Sequence, residues 1–211
     1  MHSDSTTVAA SGSRSAGVLE TRRRILEAAA RVFARDGFHG ATTRDIAREA
    51  QVNEVTLFRH FHSRGDLLRA VLCRPLEQVL VDPADEVLWV TDLRSAVQKF
   101  VENYYALLVD KEALVRAYHA ESKTISPEIR EILVERIGPV RNKLIERLEH
   151  ARQAGLVRPN VNLVSAADLL RDALHSAMLR YTGCVTVPWN ELPIHLETIV
   201  DIYVTGIRNP S

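Results

Sequence analysis

The sequence of 211 residues predicts an all-α protein. Apolar residues recur at i, i+3 and i+4 through most of it, the period of an amphipathic helix. There are only 9 Gly and 8 Pro, and the period-two alternation of β-branched residues that marks strands is scarce. The Gly and Pro residues stand where the helical stripes break. Gly37, Gly155 and Gly183 follow stripes and Pro127 opens one, the usual asymmetry of helix ends. The length suffices for one or two domains with a real core.

Residues 1–18 are rich in Ser, Thr, Ala and Gly and predict a disordered tail. The first helix spans Glu20 to Asp36, with Ile25, Leu26, Ala29, Val32 and Phe33 as its stripe. Gly37 ends it, and Phe38 is placed to plug a three-helix core. From Thr42 to Phe61 two short helices follow with a tight turn between them. Ile46, Ala47 and Ala50 give the first an apolar face; Leu57, Phe58 and Phe61 give the second one. Thr43 can cap the first helix and Asn53 the second. Ala47 is small enough to let two steeply crossing backbones approach. Ser63 caps the next helix, with Asp66 three places on as in a capping box. Leu67, Leu68, Val71 and Leu72 continue it, and Pro75 predicts a kink or an end. This helix is expected to be the only covalent link between a domain of residues 19–66 and a domain of residues 67–211.

In the second domain, 81–90 contains Pro83 and acidic residues and predicts a loop. A helix over 92–109 turns Leu93, Val97, Phe100, Val101, Tyr104 and Leu108 inward, and another covers 111–121. Ser126-Pro127-Glu128 starts a long helix toward Ala154, with a kink expected at Pro139. Asn162 or Ser165 opens the next, which ends near Thr182. The last runs from Trp189 to Ile207. The last two are apolar on more than one face and so need two partners: the core, and a second subunit.

The stretch Gly37-Phe38-His39-Gly40-Ala41-Thr42-Thr43, the helix pair after it, and His62-Ser63-Arg64-Gly65-Asp66-Leu67-Leu68 together resemble the DNA-binding domain of the tetracycline-repressor (TetR) family of transcriptional regulators. The resemblance runs from Thr21 to Leu72, roughly a quarter of the chain. Beyond that, only length and helix rhythm match. The sequence departs from the family pattern at four places. Gln51 stands in a turn that usually holds Gly, and Asn53 where Ser is more usual. Val55 stands where Gly is frequent, and Phe58 where Tyr is common. A Tyr there reaches phosphate through its hydroxyl; Phe58 can only pack.

Net charge is zero, but its distribution is uneven. Residues 1–70 carry 11 Arg against 8 acidic residues, and the remainder carries 16 basic against 19 acidic. The basic excess is local to the helix-turn-helix end, the footprint of a DNA-binding module on a neutral body. Arg14, Arg22, Arg23 and Arg24 either are solvated or touch phosphates. No apolar run approaches the ~20 residues of a membrane helix, and no signal-peptide core is visible. Cys73 and Cys184 are far apart and read as buried thiols of a reducing cytoplasm. There is no phosphate-binding Gly loop, nucleophile elbow or zinc-protease motif, so no catalytic residue, metal or cofactor is expected. His119 and Glu121 are two apart and point to different helix sides.

The resemblance implies a ligand-responsive repressor that binds a palindromic operator in double-stranded DNA as a homodimer. Glu54, Val55, Thr56, Arg59 and His60 would read bases, with Asn53 capping their helix, while Thr43, Arg44 and Arg64 hold phosphates. Phe100, Tyr104, Tyr118, His119, His175 and Met178 would line a pocket for an apolar or aromatic small molecule, or else are ordinary core. Leu170, Leu174, Ala177, Leu196, Ile199 and Tyr203 would form the dimer seam. Trp89 and Trp189 are expected to pack. The competing class is a helical ligand carrier or enzyme in which the helix-turn-helix is only structural. Salt-sensitive, sequence-specific DNA binding separates the two.

Overall fold

The computed structural model describes residues 6–80, 83–121, 123–183 and 191–210; the side chains described leave out 6–15, 73–80, 83–85, 136 and 183. The expectations for the side chains of Arg14 and Cys73, and for Cys184 and Trp189, lie outside the described residues. Among those described, every regular element is a helix, apart from an isolated bridge between Val157 and Arg208. The chain forms two compact units. One comprises residues 1–72 with 117–132, the other 73–116 with 133–211.

The first unit opens with α1 (Thr6–Gly40). It begins well inside the stretch expected to be a disordered tail. Extending an existing helix adds one bond per residue fixed, so weakly helical residues can continue it. The expected stop at Gly37 is real: its φ of 75° and ψ of 177° interrupt the helix, a combination essentially reserved for glycine. A Cβ there would also overlap the Glu121 carboxylate, whose Oε2 accepts the Phe38 N–H at 3.0 Å. Phe38 is buried against Phe33, ring centroids 6.0 Å apart.

Next come α2 (Thr43–Glu49) and α3 (Glu54–His60). The cap of α2 is Thr42, not Thr43: its backbone is extended, and its Oγ1 accepts the Asp45 N–H at 3.1 Å. Thr43 is already helical and cannot fill that role. Asn53 caps α3 as expected, accepting the Thr56 N–H at 2.7 Å. Between the helices, Gln51 takes a φ of 55°, the left-handed region that a side chain disfavours.

Ser63 caps α4 (Arg64–Leu80), which continues through Pro75. The ends of two later helices complete this unit: α7 (Glu112–Glu121) from Ala117, and α8 (Pro127–Gln153) as far as Ile132. Ile125, Ile129 and Ile132 are buried. Gly65 is buried where Glu128 and Ile132 leave little room for a side chain. His39 Nε2 donates to the Thr124 carbonyl at 2.6 Å. The chain therefore passes between units within α4, α7 and α8, and not through one helix alone. Reading each apolar stripe as the property of one domain hides this, because α7 and α8 give one end to each.

The second unit adds α5 (Pro83–Thr91), α6 (Leu93–Asp110), α9 (Leu163–Gly183) and α10 (Leu192–Ile207). The loop expected over 81–90 is replaced by α5 from Pro83 onward. Proline breaks a helix interior but fits the first turn, where its missing N–H has no partner to lose. Trp89 of α5 is buried, as expected of a packing residue. Asp92 caps α6 through the Ser95 N–H and hydroxyl, and the Ser95 hydroxyl in turn holds its carboxyl below the usual range. α6 packs against α5, α9 and α10, and α8 runs unbroken through Pro139. Arg141 grips Asp168 with two bonds of 2.6 and 2.8 Å and depresses that carboxyl. The tail beyond α10 is tied to the α8–α9 turn: Arg158 N–H donates to Ile207 O and Asn209 N–H to Leu156 O, both at 2.9 Å.

Gln51 and Gly37 give opposite predictions. Gln51→Gly removes left-handed strain and should raise stability by about 0.5–1 kcal/mol after the entropy of the added glycine. Gly37→Ala should lower it by about 2–3 kcal/mol, since a side chain meets both the strained backbone and Glu121. Denaturant midpoints measure both. A lower midpoint for Gln51→Gly would remove the strain argument.

Candidate nucleic-acid interface

α3 has seven residues and room for one buried stripe. Leu57 and Phe61 fill it, 0% and 3% exposed. Everything 100° away must face outward. Phe58 was expected to pack, and instead it is 42% exposed because Leu57 already occupies the inward position. Val55 is 64% exposed and Arg59 is exposed, while Glu54, Thr56 and His60 are half-buried. Thus α3 presents Glu54, Val55, Phe58, Arg59 and His60 on or beside one open face.

Two arginines of α1 hold this pair of helices in place. Arg24 donates to the Ala50 carbonyl at 2.6 Å and the Gln51 carbonyl at 3.3 Å. Arg22 donates to the His60 carbonyl at 3.3 Å and lies 4.3 Å over the Phe61 ring. Each guanidinium sits at a helix C-terminus, where the unsatisfied carbonyls carry partial negative charge. Arg23 pairs with Glu20 and Glu27. None of these three is a merely solvated charge. Arg64 donates to the Ala41 carbonyl at 3.0 Å, so it fixes the entry to α2. These capping roles were not legible in the sequence; a run of arginines one helix upstream of two short helices is their only trace.

Acidic partners engage the arginines on the back of α2. Glu49 meets Arg31 at 2.9 Å and Arg35 at 3.5 Å; the Arg31 guanidinium, chiefly, keeps its carboxyl below the usual range. Arg48 pairs with Asp45 at 2.6 Å. Arg44 and Arg59 are exposed and make no ion pair among the described residues. Their charge is available to an anion. Thr43, half-buried in the first turn of α2, sits beside Arg44.

The six residues expected to line a pocket divide. Four come together where α6 meets α9. Phe100 stacks on Tyr104 at 5.5 Å, and Tyr104 meets His175 edge-on at 5.7 Å. Met178 is fully buried one turn from His175. His175 Nδ1 donates to the Arg171 carbonyl at 2.8 Å, and burial pushes the Tyr104 hydroxyl up. Tyr118 and His119 lie in the other unit, on α7, and meet edge-on at 5.4 Å, with Tyr118 37% exposed. Sequence reading missed Gln98 and Arg171, which like the neighbouring Tyr105 each have a buried polar atom lacking a hydrogen-bond partner. Arg171, a charge one turn before His175 in an apolar helix, was the available signal.

The residues expected at a dimer seam divide as well. Leu170, Leu174 and Ala177 are buried in the core of their own protomer. Leu196, Ile199 and Tyr203 are half-buried against that core. On α9 and α10 the most open of the described large apolar side chains are Leu169, Ile194 and Ile202, 67–70% exposed. Among the described residues no group of three or more His, Cys, Asp or Glu is placed to hold a metal ion, and no helix is long and apolar enough to cross a membrane.

A family model for bacterial regulatory proteins of the tetR family matches residues 25–71. The transcriptional regulator UidR of Escherichia coli is 25% identical over 161 residues, 75% of this chain and 80% of that protein. The transcriptional repressor KstR2 of Rhodococcus jostii is 27% identical over 169 residues, 79% of this chain and 83% of that protein. The structure of the transcriptional regulator FadR from Bacillus subtilis in complex with stearoyl-CoA superposes with a TM-score of 0.70. It is 18% identical and covers 88% of this chain and 98% of that one.

Proposed function

The chain belongs to the TetR family and is a helix-turn-helix transcriptional regulator, and from that premise we propose that it is a homodimeric repressor released from its operator by a small molecule. The open face of α3, with Arg59 unpaired, carries the reading. Arg59 and His60 donate to base edges or phosphate, Glu54 accepts from cytosine, and Val55 meets a thymine methyl. Thr43 and Arg44 at the start of α2 hold phosphates. Arg64 acts from its place at the entry to α2. Asn53 serves as the cap that sets where α3 begins. The protein works in the cytoplasm, where its DNA is, and performs no catalysis.

Genomic capture of bound sites tests this reading against that of a carrier or enzyme with a structural hairpin. Arg59→Ala should weaken operator binding at least tenfold, within the ~1–3 kcal/mol of a base contact, with helix content unchanged. Arg44→Ala should weaken all sequences alike and make the slope of log affinity against log salt shallower by about 0.9 for each phosphate it no longer neutralises. Operator affinity untouched by Arg59→Ala would refute the assignment of α3.

The dimer is built on α9 and α10, with the exposed Leu169, Ile194 and Ile202 at its centre. Leu196, Ile199 and Tyr203 flank them. Such an isologous interface matches a palindromic operator. Leu169→Glu combined with Ile202→Glu should yield a monomer by light scattering and abolish operator binding. A wild-type protein monomeric at micromolar concentration would exclude the dimer.

The effector enters the second unit at the α6–α9 contact, where Phe100, Tyr104, His175 and Met178 meet. Its chemistry is apolar or aromatic with a few polar anchors; the stearoyl-CoA complex of FadR supports a ligand with a large apolar part. Arg171, Gln98 and Tyr105 supply the unsatisfied polar groups such anchors would meet. Coupling runs along α4, α7 and α8, each of which has residues in both units. Half-sites one turn apart are ~34–36 Å apart, so a dimer that holds its α3 helices wider loses one of them. A coupling of ~1–3 kcal/mol changes affinity about 5- to 150-fold, and it is reciprocal. The effector should therefore bind the operator complex less tightly than free protein; equal affinity in calorimetry would eliminate this route.

A further inference from the structure

The phenylalanines of the first unit are Phe33, Phe38, Phe58 and Phe61. Three are at most 3% exposed; Phe58 is 42% exposed. Val55 lies one turn before it and is 64% exposed. They are the only large apolar side chains exposed on α2 or α3. Residues at i and i+3 are neighbours on a helix surface, with Cβ atoms about 5–6 Å apart. The two therefore make one apolar patch, bounded by the unpaired Arg59 on one side and Glu54 on the other. The patch does not serve the stability of the unit, because Leu57 and Phe61 already fill the inward side of α3. Phe58 has no polar atom and cannot hold a phosphate.

A base edge offers one apolar group in the major groove, the 5-methyl of thymine. We propose that Val55 and Phe58 together form a methyl-reading patch that fixes a thymine at a set position of each half-site, with Phe58 the specificity-determining residue of the pair. The inference rests on the reading of α3 as the recognition helix. Cytosine and uracil present a bare C5–H at that point, so the patch rejects them without breaking any hydrogen bond. Its discrimination is the burial of one methyl, about fourfold in affinity. The neighbouring Arg59 supplies the polar contacts on either side and does not sense the methyl.

The test replaces each thymine of a captured operator with deoxyuridine, one position at a time, which removes the methyl and nothing else. Wild-type protein should lose affinity about fourfold at one position per half-site and stay within experimental error elsewhere. Phe58→Ala and Val55→Ser should each bring the thymine-to-uracil ratio at that position toward one, while Arg59→Ala leaves the ratio intact and lowers both affinities. Circular dichroism checks each variant. If Phe58→Ala does not fold, Val55→Ser, at a more exposed site, decides the matter. Wild-type protein indifferent to every uracil overturns the inference, as does an unchanged ratio in the variants. So does a change in oligomeric state on Phe58→Ala, which would make the patch a protein contact. Absence of any operator binding by wild type would instead defeat the reading of α3 itself.

Discussion

Arg22 and Arg24 of α1 grip the C-terminal carbonyls of α3 and α2, and the outward face of α3 depends on that grip. Two seven-residue helices are too short to persist alone, since helix nucleation is costly and isolated helices under about 12 residues are marginal. Their geometry must come from tertiary contacts. Leu57 and Phe61 supply the apolar side of the anchor. The guanidiniums supply the polar side, satisfying carbonyls that would otherwise face solvent at each helix end. With both sides fixed, the rotation of α3 about its own axis is fixed too, and so is the choice of residues that face outward.

The same logic explains where sequence reading succeeded. Asn53, Ser63 and Asn162 act through bonds three residues long, Gly37 through its own backbone angles, and each stands where the sequence placed it. The failures come from longer range or finer angle. The Arg22 and Arg24 bonds span 38 and 26 residues, so no local pattern announces them. The assignment of α7 and α8 to two units depends on what their ends touch, and an apolar stripe looks alike in either unit. On α9 the side expected to be open was read one residue off: Leu170 faces inward and Leu169 outward, a rotation of 100° that a helix apolar on several faces does not reveal. Phe58 belongs to the same class of error, one step round from Leu57.

The candidate ligand region was half legible. Aromatic residues at helical spacing on two helices suggested Tyr104, Phe100 and His175, and these do lie against one another. Tyr118 and His119 had equal claim by residue type, and the fold puts them in the other unit. What sequence could not weigh is polar satisfaction. Only the fold shows that Gln98, Tyr105 and Arg171, like Arg158 and Tyr203 elsewhere, each hold a buried polar atom with no protein partner; most buried polar groups in folded proteins have one.

The split membership of α7 and α8 bears on how the protein is made. A ribosome delivers residues 1–72 first, but the unit they belong to also needs 117–132. About 60 residues separate Leu72 from Ile132, which at ~5–20 residues per second is several seconds of synthesis. During that interval the ground on which Ile125, Ile129 and Ile132 will settle lies bare, and Phe38 waits for the carboxylate of Glu121. The nascent helix-turn-helix thus emerges as an unfinished module, one whose last hydrophobic pieces arrive by way of the second domain. A chimera that transplants only the first 72 residues onto another body would inherit that bare ground permanently.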